Sequence, residues 1–174
     1  MSSSINFSAI TTFVFDMDGV LTDGTLLLFP DLQTQARSMH IKDGYALQLA
    51  IKKGYRVKVI SGSFSEEVKQ RLSYLGVEDV SLSVKDKRRM LLAYMEQHQL
   101  QKGEVLYMGD DVPDLDAMKE VGMPCCPKDA AIDILTQALF VSTYEGGKGC
   151  VREVIENVLR ARDDWDTTSG LPSQ

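Results

Sequence analysis

Apolar positions along the chain fall in short runs set between polar, glycine-punctuated junctions. Phe13-Val14-Phe15, preceded by Ile10 and the β-branched Thr11 and Thr12, reads as a buried strand that ends in two carboxylates, Asp16 and Asp18. The same signature predicts strands over Tyr55–Ile60, Val80–Leu82, Val105–Met108, Met123–Cys126 and Phe140–Val141. Helical segments lie between them. One opens at Asp43-Gly44 and stops at Gly54; another starts from Ser63-Phe64-Ser65-Glu66, which has capping-box spacing, and runs to Leu75 ahead of Gly76. Lys87–Gln99 carries Met90, Leu91, Tyr94 and Met95 on one face as core material. A short helix to Val121, one over Asp129–Gln137 and a last one over Cys150–Arg162 follow.

Two stretches break this alternation. Thr25–Phe29 is apolar, Pro30-Asp31 is a turn signal, and a weaker extended stretch runs from Gln33 to Ile41, which together predict a β-hairpin over about 24–41. Its consecutive apolar residues cannot all face one core, so part of them is expected to meet another subunit. The alternative is that Thr25–Phe29 is a central strand of the main sheet. The polar tail over 163–174 is expected to be mobile.

Strands alternating with helices at this spacing imply βαβ units, hence an α/β fold with a parallel sheet covered on both faces. Ligands in such sheets bind beyond the carboxyl ends of the strands, where the acidic and Gly/Ser motifs of this chain all fall. The 174 residues, 44% hydrophobic and 25% charged, are read as a single domain over 1–174. A formal charge of −6 and a pI near 4.9 argue against nucleic-acid or anionic-membrane surfaces, while leaving room for a small anionic substrate. Three cysteines form neither a disulfide framework nor a zinc pattern. Met1–Asn6 lacks a basic and an apolar leader region, and no apolar run approaches membrane-spanning length, so the expectation is a soluble cytoplasmic protein.

Candidate chemistry starts at Asp16 and Asp18. Side chains two apart on an extended chain share a side, so both carboxylates converge just past the sheet edge. Their repulsion is relieved if a divalent cation neutralises one and the other titrates, the arrangement phosphoryl transfer through an aspartyl phosphate requires. Gly19 lets the backbone turn out of the strand.

Asp16-Met17-Asp18-Gly19-Val20, followed by Thr22-Asp23-Gly24, resembles the nucleophile motif of the haloacid dehalogenase superfamily of phosphatases and phosphotransferases. The resemblance implies a Rossmann-like three-layer fold without a cap domain. It implies Asp16 as nucleophile and Asp18 as general acid/base, buried beside its neighbour. Ser61 and the amide of Gly62 match the phosphate-binding motif, at a strand end ahead of a helix N-terminus. The cationic motif comes from Lys85-Asp86-Lys87, with Lys87 the better match and Lys85 second. Gly109-Asp110-Asp111-x-x-Asp114 matches the Mg²⁺ motif. Asp16, Asp110 and the backbone carbonyl of Asp18 are then the direct ligands, with Asp111 and Asp114 acting through waters or orienting the lysine.

Neither the gap from Asp18 to Ser61 nor that from Lys87 to Gly109 holds a separate lid. A lidless enzyme must take a large substrate or borrow a cover from another subunit. The hairpin after Asp23-Gly24, Ile41-Lys42-Asp43-Gly44-Tyr45, and Gly146-Gly147-Lys148-Gly149-Cys150-Val151-Arg152-Glu153 narrow the resemblance. Together they resemble the lidless phosphatases of 3-deoxy-octulosonate 8-phosphate, homotetramers in which hairpins associate and a neighbour helps close the site. This implies a phosphorylated sugar acid as substrate, with Asp23, Lys42, Asp43 and Arg152 near it. Ser63 departs from that pattern, which has arginine. The alternatives are a nonulosonate 9-phosphate phosphatase, a catalytically idle oligomerisation module and a phosphorelay receiver domain. The order of the motifs and the extra hairpin speak against the last.

Overall fold

β1 (Thr12–Phe15) runs through the middle of a six-stranded sheet, and all four of its residues are buried. The computed structural model describes residues 5–30, 35–168 and 170. β4 (Arg56–Ile60) and β5 (Asp79–Ser81) extend the sheet on one side of β1. β6 (Val105–Met108), β7 (Met123–Cys126) and β8 (Phe140–Val141) extend it on the other, and every neighbouring pair is parallel. Phe13 stands opposite both Val57 and Leu106. The chain fills the β4 side first and then crosses back to β6, so β1 lies where the strand order reverses. Sheets of this kind open a crevice there, beyond the strand carboxyl ends.

Alternation along β1 divides the core in two. Phe13 and Phe15 pack in one layer with Leu47, Leu49, Leu72, Val154 and Val158, drawn from α1 (Ile41–Lys52), α2 (Glu66–Tyr74) and α6 (Cys150–Arg160). Val14 packs in the other with Leu91, Met95, Met118 and Ile134, from α3 (Lys87–Gln97), α4 (Leu115–Met118) and α5 (Ile132–Leu135). The result is the helix–sheet–helix arrangement expected, with no cap among the described residues.

The hairpin stands apart. β2 (Leu27–Leu28) pairs antiparallel with β3 (Gln35–Ala36) in a two-stranded ribbon, so the central-strand alternative is excluded. The expected turn residue Asp31 and the start of the second arm at Gln33 lie outside the described residues. Leu26, Leu27, Leu28 and Phe29 are all exposed, Leu28 by 70%.

Three local expectations are corrected. α2 is capped by Ser65, whose hydroxyl accepts from the Val68 amide, and not by Ser63, which turns to the strand end instead. The helix expected over Asp129–Gln137 is confined to Ile132–Leu135. At the C-terminal end, Tyr55 donates to Asp164 at 2.7 Å, and Trp165 packs against Tyr45, Arg152 and Arg160, so the segment expected to be loose from Asp163 is anchored at least that far. Ser169 and 171–174 lie outside the described residues. No helix among the described residues is long and apolar enough to cross a membrane.

Candidate active site

Four strand ends deliver the polar groups of one cleft of about 220 Å³. The exit of β1 brings Asp16 and Asp18, that of β4 brings Ser61, Gly62 and Ser63, and that of β6 brings Asp110, Asp111 and Asp114. Lys87, the first residue of α3, follows the exit of β5.

Asp16 is 6% exposed, and its amide donates to the Met108 carbonyl, which locks the strand exit to β6. The chain then makes a wide helical turn over Met17–Leu21 in which Gly19 has φ +89°. A side chain at Gly19 would lie 2.0 Å from Asp110 Oδ2. Only glycine lets the β1 exit and the Asp110 carboxylate approach this closely.

Lys87 is buried between two carboxylates, with Nζ 2.9 Å from Asp16 and 2.8 Å from Asp114. Burial pulls its ammonium down, but Asp16 and Asp114 outweigh that and raise it. Lys85 is exposed, so Lys87 is the cation of the cleft. Asp114 is fully buried and saturated. It accepts from Lys87 and from the Tyr107 hydroxyl, and its other oxygen from the amides of Asp110 and Asp111. It orients the lysine. Asp111 is exposed and accepts from the Val112 amide, capping the turn that follows.

Asp110 contrasts with both. Its Oδ1 is buried and has no hydrogen-bond partner. Burial first, then Asp16 and Asp114, push its carboxyl up to about 8; burial and Asp114 raise Asp16 to about 6 against the pull of Lys87. Carboxylate oxygens of Asp16, Asp110 and Asp114 lie within 4.8 Å of one another. Three carboxyl groups around one lysine, one of them with an orphaned buried oxygen, are a donor set that a hard divalent cation fits.

Asp18 was expected to be buried beside Asp16. Its side chain is instead 30% exposed at the edge of the cleft, gripped by Arg37 with Nε 2.7 Å from Oδ1 and Nη2 3.3 Å from Oδ2. Ser63 donates to Oδ2 at 2.5 Å. The Asp18 side chain is therefore not part of the acidic cluster. Ser61 is buried; its hydroxyl accepts from the Ser63 amide and lies 3.1 Å from the Ser63 hydroxyl. Arg37 and Tyr107 are polar partners that sequence reasoning missed. Arg37 sits in the weakly patterned second arm of the hairpin and Tyr107 inside an apolar run, and neither carries a local signal.

The residues expected near the sugar acid are not gathered in this cleft. Asp43 is 2% exposed, and its Oδ1 accepts from the Arg152 amide at 2.8 Å, tying α1 to the N-terminus of α6; burial raises it to about 6. That is a capping role. Asp23 pairs with Lys148 at 3.2 Å, and its carboxyl is lowered by the Thr25 amide and by Lys148. Lys42 and Arg152 line a separate cavity of about 550 Å³, with His40, Lys148 and Arg160, which shares no lining residue with the cleft at the strand ends. Arg152 and Arg160 both pair with Glu156 there.

Comparison with known proteins gives the chain's relatives. Residues 41–122 match the family model for haloacid dehalogenase-like hydrolases. The chain is 32% identical over 165 residues to the 3-deoxy-D-manno-octulosonate 8-phosphate phosphatase KdsC of Yersinia pestis, covering 93% of this chain and 86% of that one. The corresponding enzyme of Escherichia coli K12 is 29% identical over 161 residues, covering 92% and 85%. Among solved structures, that phosphatase from Moraxella catarrhalis, in complex with magnesium ion, phosphate ion and a KDO molecule, superposes with a TM-score of 0.89 at 28% identity, covering 94% of this chain and 93% of that one. A cobalt-bound form from Haemophilus influenzae gives 0.87 at 29% identity, covering 95% and 98%.

Proposed function

This chain is a haloacid dehalogenase-like phosphatase of the 3-deoxy-D-manno-octulosonate 8-phosphate phosphatase family, and from that premise we propose that it hydrolyses that sugar acid phosphate, or a close keto-deoxy relative, through a phosphoryl-Asp16 intermediate. The observation that carries the mechanism is the juxtaposition of buried Asp16 with Lys87 and with the unpartnered Asp110 oxygen at the reversal of strand order.

A carboxylate oxygen of Asp16 attacks phosphorus, and the bond from phosphorus to the ester oxygen breaks. Asp18 gives a proton to the departing alkoxide and then takes one from the water that cleaves the acyl phosphate. Ser61 and the Gly62 amide hold phosphoryl oxygens, and Lys87, fixed by Asp114, meets the charge that develops on them. Asp16, Asp110 and the carbonyl of Asp18 are the residues to hold Mg²⁺, with Asp111 and Asp114 supporting them. The bound ion supplies Lewis-acid neutralisation of the phosphoryl and carboxylate charges.

The open cleft and the exposed Leu26–Phe29 ribbon support a homotetramer in which a neighbouring subunit covers the site. Lys42 and Arg152 are contacts for the acid end of the substrate only within such an assembly. Packing of both core layers around one sheet supports a single domain. Three buried, unpaired cysteines fit a reducing compartment, the cytoplasm.

Phosphate release from octulosonate 8-phosphate, nonulosonate 9-phosphates, hexose phosphates and a phosphopeptide, with Mg²⁺ and with chelator, tests the reading. A strong, chelator-sensitive preference for the octulosonate is expected. Flat activity across the panel would remove the substrate assignment, and none at all would favour an idle module.

A further inference from the structure

Arg37 follows β3 directly, on a hairpin whose Leu26–Phe29 side chains are exposed, yet its own side chain is 4% exposed. Arginine is buried this completely only when its charge is matched and its N–H groups are used. Both conditions are met at Asp18. The guanidinium lies across the carboxylate with one N–H on each oxygen, a fork that fixes orientation as well as distance. Ser63 donates to Oδ2 and Thr22 donates to Oδ1 at 3.3 Å. Asp18 is thus held from three segments: the hairpin, the β4 exit and its own turn.

We propose that Arg37 is a positioning residue of the phosphatase reaction: it fixes the Asp18 carboxylate at the mouth of the cleft, so that turnover depends on how the hairpin is seated. The inference rests on the role given to Asp18 above. Asp18 leaves β1 on a turn with a left-handed glycine next to it, and its side chain is partly exposed, so without outside anchors it samples several rotamers. Among the described residues, Arg37 is the anchor that is charged and two-pronged. A catalytic group displaced by about 1 Å loses roughly a hundredfold in rate.

A purely structural role, gluing the hairpin to the body, makes a different prediction. It costs stability and leaves no selective mark on turnover. The fold also offers a route for chemical rescue. Arg37 forms a wall of a cavity of about 430 Å³ beneath the hairpin, lined also by Phe29, Met39, Val68 and Arg71, which is large enough to admit a free guanidinium ion.

The test uses the full-length Mg²⁺-loaded enzyme with p-nitrophenyl phosphate and with the best substrate of the panel. Arg37→Ala is expected to lower kcat by about 30- to 100-fold with KM within about threefold and the Mg²⁺ requirement unchanged. Millimolar guanidinium, far below denaturing levels, restores roughly tenfold of that loss in the variant and nothing in the wild type. Arg37→Lys, which keeps the charge but cannot fork, falls between the two and serves if the alanine variant does not fold. Ser63→Ala gives the same kinetic signature more weakly, and its effect is less than additive with Arg37→Ala because both anchor one carboxylate. Unchanged kcat in Arg37→Ala overturns the proposal. So does a loss repaired neither by guanidinium nor by lysine. If the wild type hydrolyses nothing, or Asp16→Asn keeps full turnover, the phosphatase reading itself has failed; if both behave as expected and only Arg37→Ala is silent, this inference alone has failed.

Discussion

Replacing Asp110 by asparagine should stabilise the metal-free protein while abolishing its response to Mg²⁺. Burial and the charges of Asp16 and Asp114 hold the Asp110 carboxyl at about 8, against 3.8 for an ordinary aspartate. A carboxyl whose folded value lies above its unfolded one binds its proton more tightly when folded. The associated stability is complete below about pH 4 and is lost as pH rises through 8. At about 1.4 kcal/mol per pH unit the whole interval is worth roughly 6 kcal/mol. Asparagine carries no charge to bury or to repel Asp16 and Asp114, so a substantial part of this, on the order of 3 kcal/mol, is recovered in the variant. For a chain of this size that raises Tm by about 6–12 °C at pH 8.5. Thermal unfolding of chelator-treated wild type and Asp110→Asn between pH 4.5 and 9 measures it. The gap should be small at the acid end and grow until about pH 8. Mg²⁺ at a hundred times its Kd should stabilise the wild type by about 2.7 kcal/mol and leave the variant unmoved. A gap independent of pH, or equal protection of both proteins by Mg²⁺, would refute the reasoning.

Other perturbations follow from the same geometry. Lys87→Met leaves two buried carboxylates without their cation, so the metal-free protein should lose about 3–5 kcal/mol in denaturant titrations, and turnover should fall by roughly 10²- to 10³-fold. Gly19→Ala forces a methyl onto Asp110 Oδ2 in a left-handed backbone, and Mg²⁺ titration of turnover should show much weaker apparent affinity with a lowered Tm. Leu28→Ser, at the most exposed of the residues Leu26–Phe29, should shift light scattering towards smaller species while leaving the melting of the monomer within about 0.5 kcal/mol of wild type.

The sheet, and the gathering of the acidic and Gly/Ser motifs in one candidate cleft, were legible because their signals are local. The run Phe13-Val14-Phe15 ends in Asp16 by the same alternation that sends Phe13 and Phe15 to one core and Val14 to the other. Lys87, the better match of the two lysines, is the one the fold buries between Asp16 and Asp114. What stayed hidden depends on contacts across the fold. Ser63 and Ser65 stand two apart at the start of one helix. Ser65 won the cap because Ser63 is used by Ser61 and Asp18. Asp18 is expected to share the burial of Asp16, but it stays partly exposed and pairs with a guanidinium from a hairpin 19 residues on. Nothing in the stretch before Ile41 marks Arg37 out. Lys42, Asp43 and Arg152 illustrate the same limit, since sequence proximity to a motif does not say which cavity a side chain lines, and here one caps a helix while the others face a different pocket.

The central claim is that phosphate passes through Asp16. Rapid quenching of the Mg²⁺-loaded enzyme with ³²P-labelled octulosonate 8-phosphate, followed by peptide mapping, tests it most directly. The account predicts a base-labile acyl phosphate on the peptide carrying Asp16, formed and lost at rates that match turnover and absent from Asp16→Asn. Label on any other residue, or turnover with no trapped phosphoryl enzyme in either protein, would contradict it.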